Sequence, residues 1–165
     1  MRPPSFFIAG VIQGSSQDRG LCDQSYRKRL TQLLKKAFPG ALVISPYDLH
    51  PNSINYSLEK GKVIFLEMVA RATQCDVLIV YLPEASLGSA IEMWECYRVG
   101  IPIWTISPMK ENWVIRFFSH RIFPSFSEFE RFLFAEAKEE VLRAVRGSGQ
   151  RPEELSGRPG GELCP

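Results

Sequence analysis

The chain is expected to be an α/β protein with a flavodoxin-like, doubly wound parallel sheet of five strands in the order 2-1-3-4-5. Three observations carry this expectation. Short apolar runs bounded by turn residues alternate with longer helix-period segments along most of the 165 residues. The run Asp76–Leu82 is apolar almost throughout, as a parallel strand covered on both faces should be. The connections are short, and right-handed crossovers then put helices on both sides of the sheet.

Phe6–Ile12 reads as the first strand, leaving through the polar glycine loop Gln13-Gly14-Ser15-Ser16. Asp23 is placed to cap a helix from about Gln24 to Phe38, with Tyr26, Leu30, Leu33, Leu34 and Phe38 on one face. Pro39-Gly40 stops it, Ala41–Ser45 is a second strand, and Tyr47–Asn55 reads as a loop. A helix over Tyr56–Thr73 is expected to turn Leu58, Phe65, Val69 and Ala72 inward. After the third strand, the loop Pro83–Gly88 leads into a helix from about Ala90 to Val99, and Ile101–Ile106 is a fourth strand. Lys110–Ser119 suggests a short helix and Arg121–Phe123 a brief edge strand. A last helix runs from Ser127 to about Val145, opened by the capping box Ser127-x-x-Glu130. The domain is thus expected over residues 1–146. The Gly-, Pro-, Glu- and Arg-rich stretch 147–165 reads as a disordered tail.

Composition narrows the function classes. A net charge of +2 gives no reason to expect nucleic acid or a membrane surface as partner, and Arg27-Lys28-Arg29 reads as a solvated helix face. No apolar run approaches the roughly 20 residues of a membrane span, and Phe6–Ala9 follows the N-terminus without a signal-peptide pattern, so a cytoplasmic location is expected. Cys22, Cys75, Cys96 and Cys164 lack zinc-ligand spacing, and His50 and His120 stand alone; no metal and no cofactor is expected.

In this sheet order the loops at Gly10–Ser16 and Pro83–Gly88 lie side by side at the switch point between the first and third strands, where open α/β sheets bind ligands. Small residues there let backbone N–H groups approach an anion, and the following helix adds a favourable dipole. The candidate binding residues are Gly10, Gly14, Ser15, Ser16, Ser86, Gly88 and Ser89. Neither a Walker loop nor a G-x-G-x-x-G is present. Glu92 has two readings. Ser89-x-x-Glu92 is itself a capping box, so the carboxylate can serve the helix start. Alternatively it stands at the crevice floor as nucleophile or stabiliser of a cationic centre.

The segments FFIAGVIQG and CDVLIVYLPEASLGSAIEMWECYRVGIPI resemble the nucleoside 2-deoxyribosyltransferase superfamily, and within it the 2′-deoxynucleoside 5′-phosphate N-hydrolases. The matching places are Cys75-Asp76-Val77, Ser86-Leu87-Gly88, Glu92 and Gly100-Ile101-Pro102-Ile103, within a resemblance that covers residues 6–135. It implies cleavage of an N-glycosidic bond in a nucleoside or nucleoside 5′-monophosphate, with Glu92 acting at C1′ and the sugar passed to water or to another base. It also implies that Ser86, Gly88 and the Gly14–Ser16 loop hold the phosphate or 5′-hydroxyl, that Tyr26 or Tyr47 supplies a phenol near the nucleophile, and that the chain forms at least a homodimer.

One position departs from the family. Its aspartate on the second helix, which helps hold or protonate the leaving base, falls here on Met68, with Glu67 beside it. Glu67 points about 100° around the helix from Met68 and replaces that aspartate only if the helix is rotated or shifted. Trp94 and Trp113 follow loop-to-helix junctions and offer either base stacking or packing. The expectation is therefore N-glycosidic cleavage or transfer by Glu92, with Glu67 as the second candidate catalytic residue. The alternatives are a non-catalytic sensor of a nucleotide-derived ligand and a scaffold that uses exposed aromatics around Trp113–Phe126 for protein contacts.

Overall fold

Alternation along buried strands sends successive side chains to opposite faces, and each face must be covered by helices. In the computed structural model, which describes residues 2–147, five parallel strands do this in the order β2-β1-β3-β4-β5. They are β1 (Ser5–Gly10), β2 (Leu42–Ile44), β3 (Val77–Tyr81), β4 (Ile103–Ile106) and β5 (Arg121–Phe123). The helices are α1 (Ser25–Ala37), α2 (Pro46–Leu49), α3 (Leu58–Ala72), α4 (Leu87–Arg98), α5 (Trp113–Phe118), α6 (Phe126–Ala135) and α7 (Ala137–Gly147). The flavodoxin-like order expected from the sequence is the observed one.

Phe6, Ile8, Val77, Ile79, Trp104 and Ile106 point to one face. They pack there with Leu30 and Leu34 of α1, Phe129, Phe132 and Leu133 of α6, and Val141 of α7. Phe7, Ala9, Leu78, Val80 and Ile103 point to the other, against Met68 and Ala72 of α3, Met93 and Cys96 of α4, and Ile115 of α5. The β1–β3 register pairs Ile8 with Ile79 and Gly10 with Tyr81, so these two strands end together. The start of β3 is tied down by Asp76. Its fully buried carboxylate accepts from the Ser5 N–H and hydroxyl, both at 2.8 Å, and from the Arg2 guanidinium at 2.6 and 2.7 Å. Burial alone would push this carboxyl up; the Arg2 and Ser5 hydrogen bonds outweigh it and hold the group below the usual range.

Several local expectations are corrected. Asp23 does not supply the α1 cap, which falls on Gln24; its carboxylate instead accepts from the Ser25 N–H at 3.1 Å. Arg27 is not on a solvated face but 1% exposed. The expected loop 47–55 contains α2 and a turn of 3₁₀ helix, Ser53–Asn55. On α3 the row that packs is Ile64, Met68 and Ala72, at i, i+4 spacing; Leu58 and Phe65 are exposed. Helix α4 starts at Leu87 with Ser86 as its cap, three residues before the serine expected to fill that role. The last helix is two, broken at Glu136, and its cap is Ser125, whose hydroxyl accepts from the Glu128 N–H. In both cases a second serine nearby fits the same pattern, so the sequence offers two registers. Of the expected tail, Gly147 ends α7 and residues 148–165, with Cys164, lie outside the described residues. No helix among the described residues is long and apolar enough to cross a membrane.

Candidate functional site at the β1–β3 switch point

Because β1 and β3 end side by side, their exit loops must meet. The Val11 N–H donates to the Tyr81 carbonyl at 3.4 Å, and the Cys22 thiol donates to Glu84 at 3.5 Å. Glycine is required at two places in this junction. Gly14 has φ +57°, and a Cβ there would sit 1.7 Å from a Glu84 carboxylate oxygen. A Cβ on Gly10 would sit 2.5 Å from the Tyr26 hydroxyl and 2.9 Å from the Tyr81 carbonyl oxygen. The two loops, the α2–α3 connection and the faces of α3 and α4 enclose a cavity of about 370 Å³. That volume is in the range of small-molecule sites, roughly 300–1,000 Å³.

Of the expected binding residues, Gly10, Gly14, Ser86, Gly88 and Ser89 line this cavity; Ser15 and Ser16 do not, and the Ser16 hydroxyl is bonded to Asp18. Ser86 caps α4 by accepting from the Ser89 N–H at 3.3 Å. That leaves the N–H groups of Leu87 and Gly88, unpaired by the helix itself, for an anion at the cavity edge. The Ser89 hydroxyl is buried and has no hydrogen-bond partner, although it lines the cavity.

Glu92 is the sixth residue of α4 and lies outside the first turn, so it does not act as a cap. It lines the cavity and is 8% exposed, and no described residue donates a hydrogen bond to its carboxylate. Burial pushes its carboxyl up to about 7, with the positive charge of Arg27 pulling the other way. Arg27 is held rigidly: its guanidinium donates to the Ile8 carbonyl at 2.9 Å, the Gly10 carbonyl at 3.2 Å and the Gln24 side chain at 2.8 Å. Tyr26 shares this neighbourhood. Its hydroxyl donates to the Val11 carbonyl at 3.1 Å. Burial pushes the phenol well above its ordinary range, Arg27 opposes this and Glu92 adds to it. Tyr47 does not line the cavity.

Glu67 stands apart from these groups. It is on the exposed side of α3, bonded to Arg71 at 2.7 and 3.1 Å, while Met68 is the residue that faces the cavity. The packed Ile64–Met68–Ala72 row fixes this rotation of the helix. Glu92 is consequently the sole carboxylate among the described cavity-lining residues. Trp94 and Trp113 are outside the cavity as well; Trp94 packs with Tyr97 and Phe118 on the surface. No group of three or more His, Cys, Asp or Glu among the described residues is arranged to hold a metal.

Sequence reasoning missed Arg27, His50 and Tyr56, all of which line the cavity. Arg27 reaches mainly backbone carbonyls, which leave no sequence signature. His50 follows the short helical segment read as loop. His120 proves structural: its Nδ1 accepts the Ile103 N–H at 3.0 Å.

No protein-family model and no curated protein matches the chain. Among solved structures, it is similar to a 2-deoxyribosyltransferase from Bacillus psychrosaccharolyticus, with a TM-score of 0.59 and 20% identity over 76% of this chain and 90% of that one. A conserved protein from Enterococcus faecalis V583 matches with a TM-score of 0.47 and 15% identity over 88% of this chain and 98% of that one. The first likeness is one of fold.

A raised carboxyl makes a stability statement. Glu92 binds its proton more tightly when folded, so its contribution is fully present below about 4.5 and is lost as pH rises through about 7. Glu92→Gln is therefore expected to stabilise the protein by about 3 kcal/mol at pH 8. The difference should disappear below pH 4.5, as measured by urea unfolding of both proteins across that range.

Proposed function

We propose that the protein cleaves or transfers the N-glycosidic bond of a (deoxy)nucleoside or nucleoside 5′-monophosphate, with Glu92 as nucleophile. One observation carries the reading. Glu92 is a buried carboxylate without a hydrogen-bond partner, in a nucleotide-sized cavity beside a helix N-terminus. A structural anion in that position would be paired or hydrogen-bonded. Sharing a fold with a 2-deoxyribosyltransferase supports the reading, as do the sequence segments described above.

In this mechanism a Glu92 oxygen attacks C1′ as the C1′–N bond breaks, and the bonding pair leaves with the base. Water or a second base then attacks C1′ and releases the carboxylate. An under-solvated carboxylate without hydrogen bonds is a stronger nucleophile than a solvated one. Arg27 keeps a useful fraction of it ionised near neutrality by opposing the effect of burial. The Ser89 hydroxyl and the Leu87 and Gly88 N–H groups are suited to sugar hydroxyls or a 5′-phosphate.

The second reading, a sensor of a nucleotide-derived ligand without turnover, is favoured by Met68. It puts a thioether, which transfers no proton, where the cavity meets α3. Base release separates the two. A panel of nucleosides and 5′-monophosphates, followed by chromatography for free base, is expected to show release whose kcat/KM rises as pH increases toward about 7. Glu92→Gln should reduce it on the order of 10³-fold or more. Thermal stabilisation by a nucleotide without base release would favour the sensor instead.

A homodimer belongs to the same proposal. Leu58, Val63 and Leu66 on α3 and Leu87, Ile91 and Trp94 on α4 are exposed apolar residues on two helices that pack together, a surface suited to a second copy. Sedimentation equilibrium at micromolar protein is expected to give twice the 18.7 kDa chain mass; a monomer would remove this part of the reading.

A further inference from the structure

The proposed chemistry leaves one proton unaccounted for. A neutral nucleobase departs with the bonding pair and must gain a proton at its nitrogen, or it leaves as a high-energy anion. Among the described cavity-lining residues, the groups able to titrate are Glu92, Arg27, Tyr56 and His50. Glu92 is occupied at C1′. Arg27 is committed to the Ile8 and Gly10 carbonyls and does not give up its proton. Tyr56 is bonded to His50, with the Lys60 ammonium 3.9 Å from its ring centroid.

His50 is the remaining group, and it is well held. Its backbone N–H donates to the Pro46 carbonyl at 2.9 Å, and its carbonyl accepts from the Ser53 N–H at 3.0 Å. Its Nδ1 lies 3.2 Å from the Tyr56 hydroxyl, and the two rings meet edge to face. Fixing Nδ1 in this way fixes the ring, and Nε2 has no partner among the described residues. The cavity lining also includes the apolar side chains of Ile54, Ile64, Phe65 and Met68, which are suited to the faces of a planar base. An imidazole lining the same cavity, with its Nε2 unpaired among the described residues, is suited to the polar edge of a base held there.

We propose that His50, oriented by Tyr56, is the acid that protonates the departing base. The inference rests on the glycosidase reading above. In the first step the imidazolium holds Nδ1–H on the Tyr56 oxygen. Its Nε2 proton passes to the base nitrogen as the C1′–N pair leaves and the Glu92 ester forms. In the second step the neutral imidazole takes a proton from the water that attacks C1′, which restores the imidazolium and the free carboxylate. Tyr56 acts as a positioning residue.

The test compares two nucleotides that differ in their need for that proton. 2′-Deoxyguanosine 5′-phosphate must be protonated to lose its base. Its N7-methyl derivative already carries a positive charge on the base, which departs neutral. His50→Ala is expected to lower kcat on the first about 100-fold, the low end for a general acid. On the methylated nucleotide the loss should be less than about tenfold. Tyr56→Phe should shift the two in the same sense by a smaller factor, and thermal unfolding confirms that both variants are folded. Equal loss on the two nucleotides, or no loss on either, overturns the role of His50 and leaves the glycosidase reading standing. Failure of the unsubstituted protein to cleave either nucleotide, together with no base release from the nucleoside and 5′-monophosphate panel, overturns both.

Discussion

The site depends on a carboxylate held in a cavity where no hydrogen-bond donor of the described residues reaches it. Glu92 is placed there by packing that has nothing to do with its charge. Met93 and Cys96, its neighbours on α4, are driven into the core against β3 and β4, and the helix has no freedom to turn Glu92 out. A buried, unpaired charge opposes folding by several kcal/mol unless the group neutralises. The carboxyl takes the second course in part, burial pushing it up from about 4.5 to about 7.

The surrounding structure tolerates this because its other buried charges are satisfied. Asp76 is paired with Arg2 and bonded to Ser5, and Arg27 serves the carbonyls at the end of β1 while its charge faces Glu92. Where a buried charge has only a structural role, this fold surrounds it with partners. Glu92 has no donor among the described residues, and the Ser89 hydroxyl, one helical turn away in the same cavity, is unpartnered as well; the Trp104 Nε1, in the core, is unpartnered too but lies outside the cavity lining. Residues left unsatisfied together in one cavity are suited to a ligand that supplies what the protein withholds.

Much of the fold was legible in the sequence because buried parallel strands leave an unambiguous trace. Phe6–Ile8 and Val77–Val80 are apolar at every position, and no helix-period pattern competes. The errors fall where sequence admits two solutions. Ser86 and Ser89, and likewise Ser125 and Ser127, all suit an N-cap, and tertiary packing decides between them. On α3, Ile64, Phe65, Leu66, Met68 and Val69 are all apolar, so no stripe marks the inward face, and the Ile64–Met68–Ala72 row is known only from its packing. The site was legible where small residues and a carboxylate follow a buried strand. It was not legible in Arg27, whose like-charged neighbours disguise it, or in His50 and Tyr56, which meet only because the segment between them coils into a turn of 3₁₀ helix.

Everything proposed for the site requires Glu92 to be a carboxylate without partners, poised between charged and neutral at physiological pH. A carbon-13 NMR titration of the glutamate side-chain carboxyls, with Glu92 assigned by its loss in Glu92→Gln, measures this directly in the ligand-free protein. A midpoint near 7 is the expected result. A midpoint near 4.5 would mean that the carboxylate is solvated or hydrogen-bonded after all, and would contradict the role given to it.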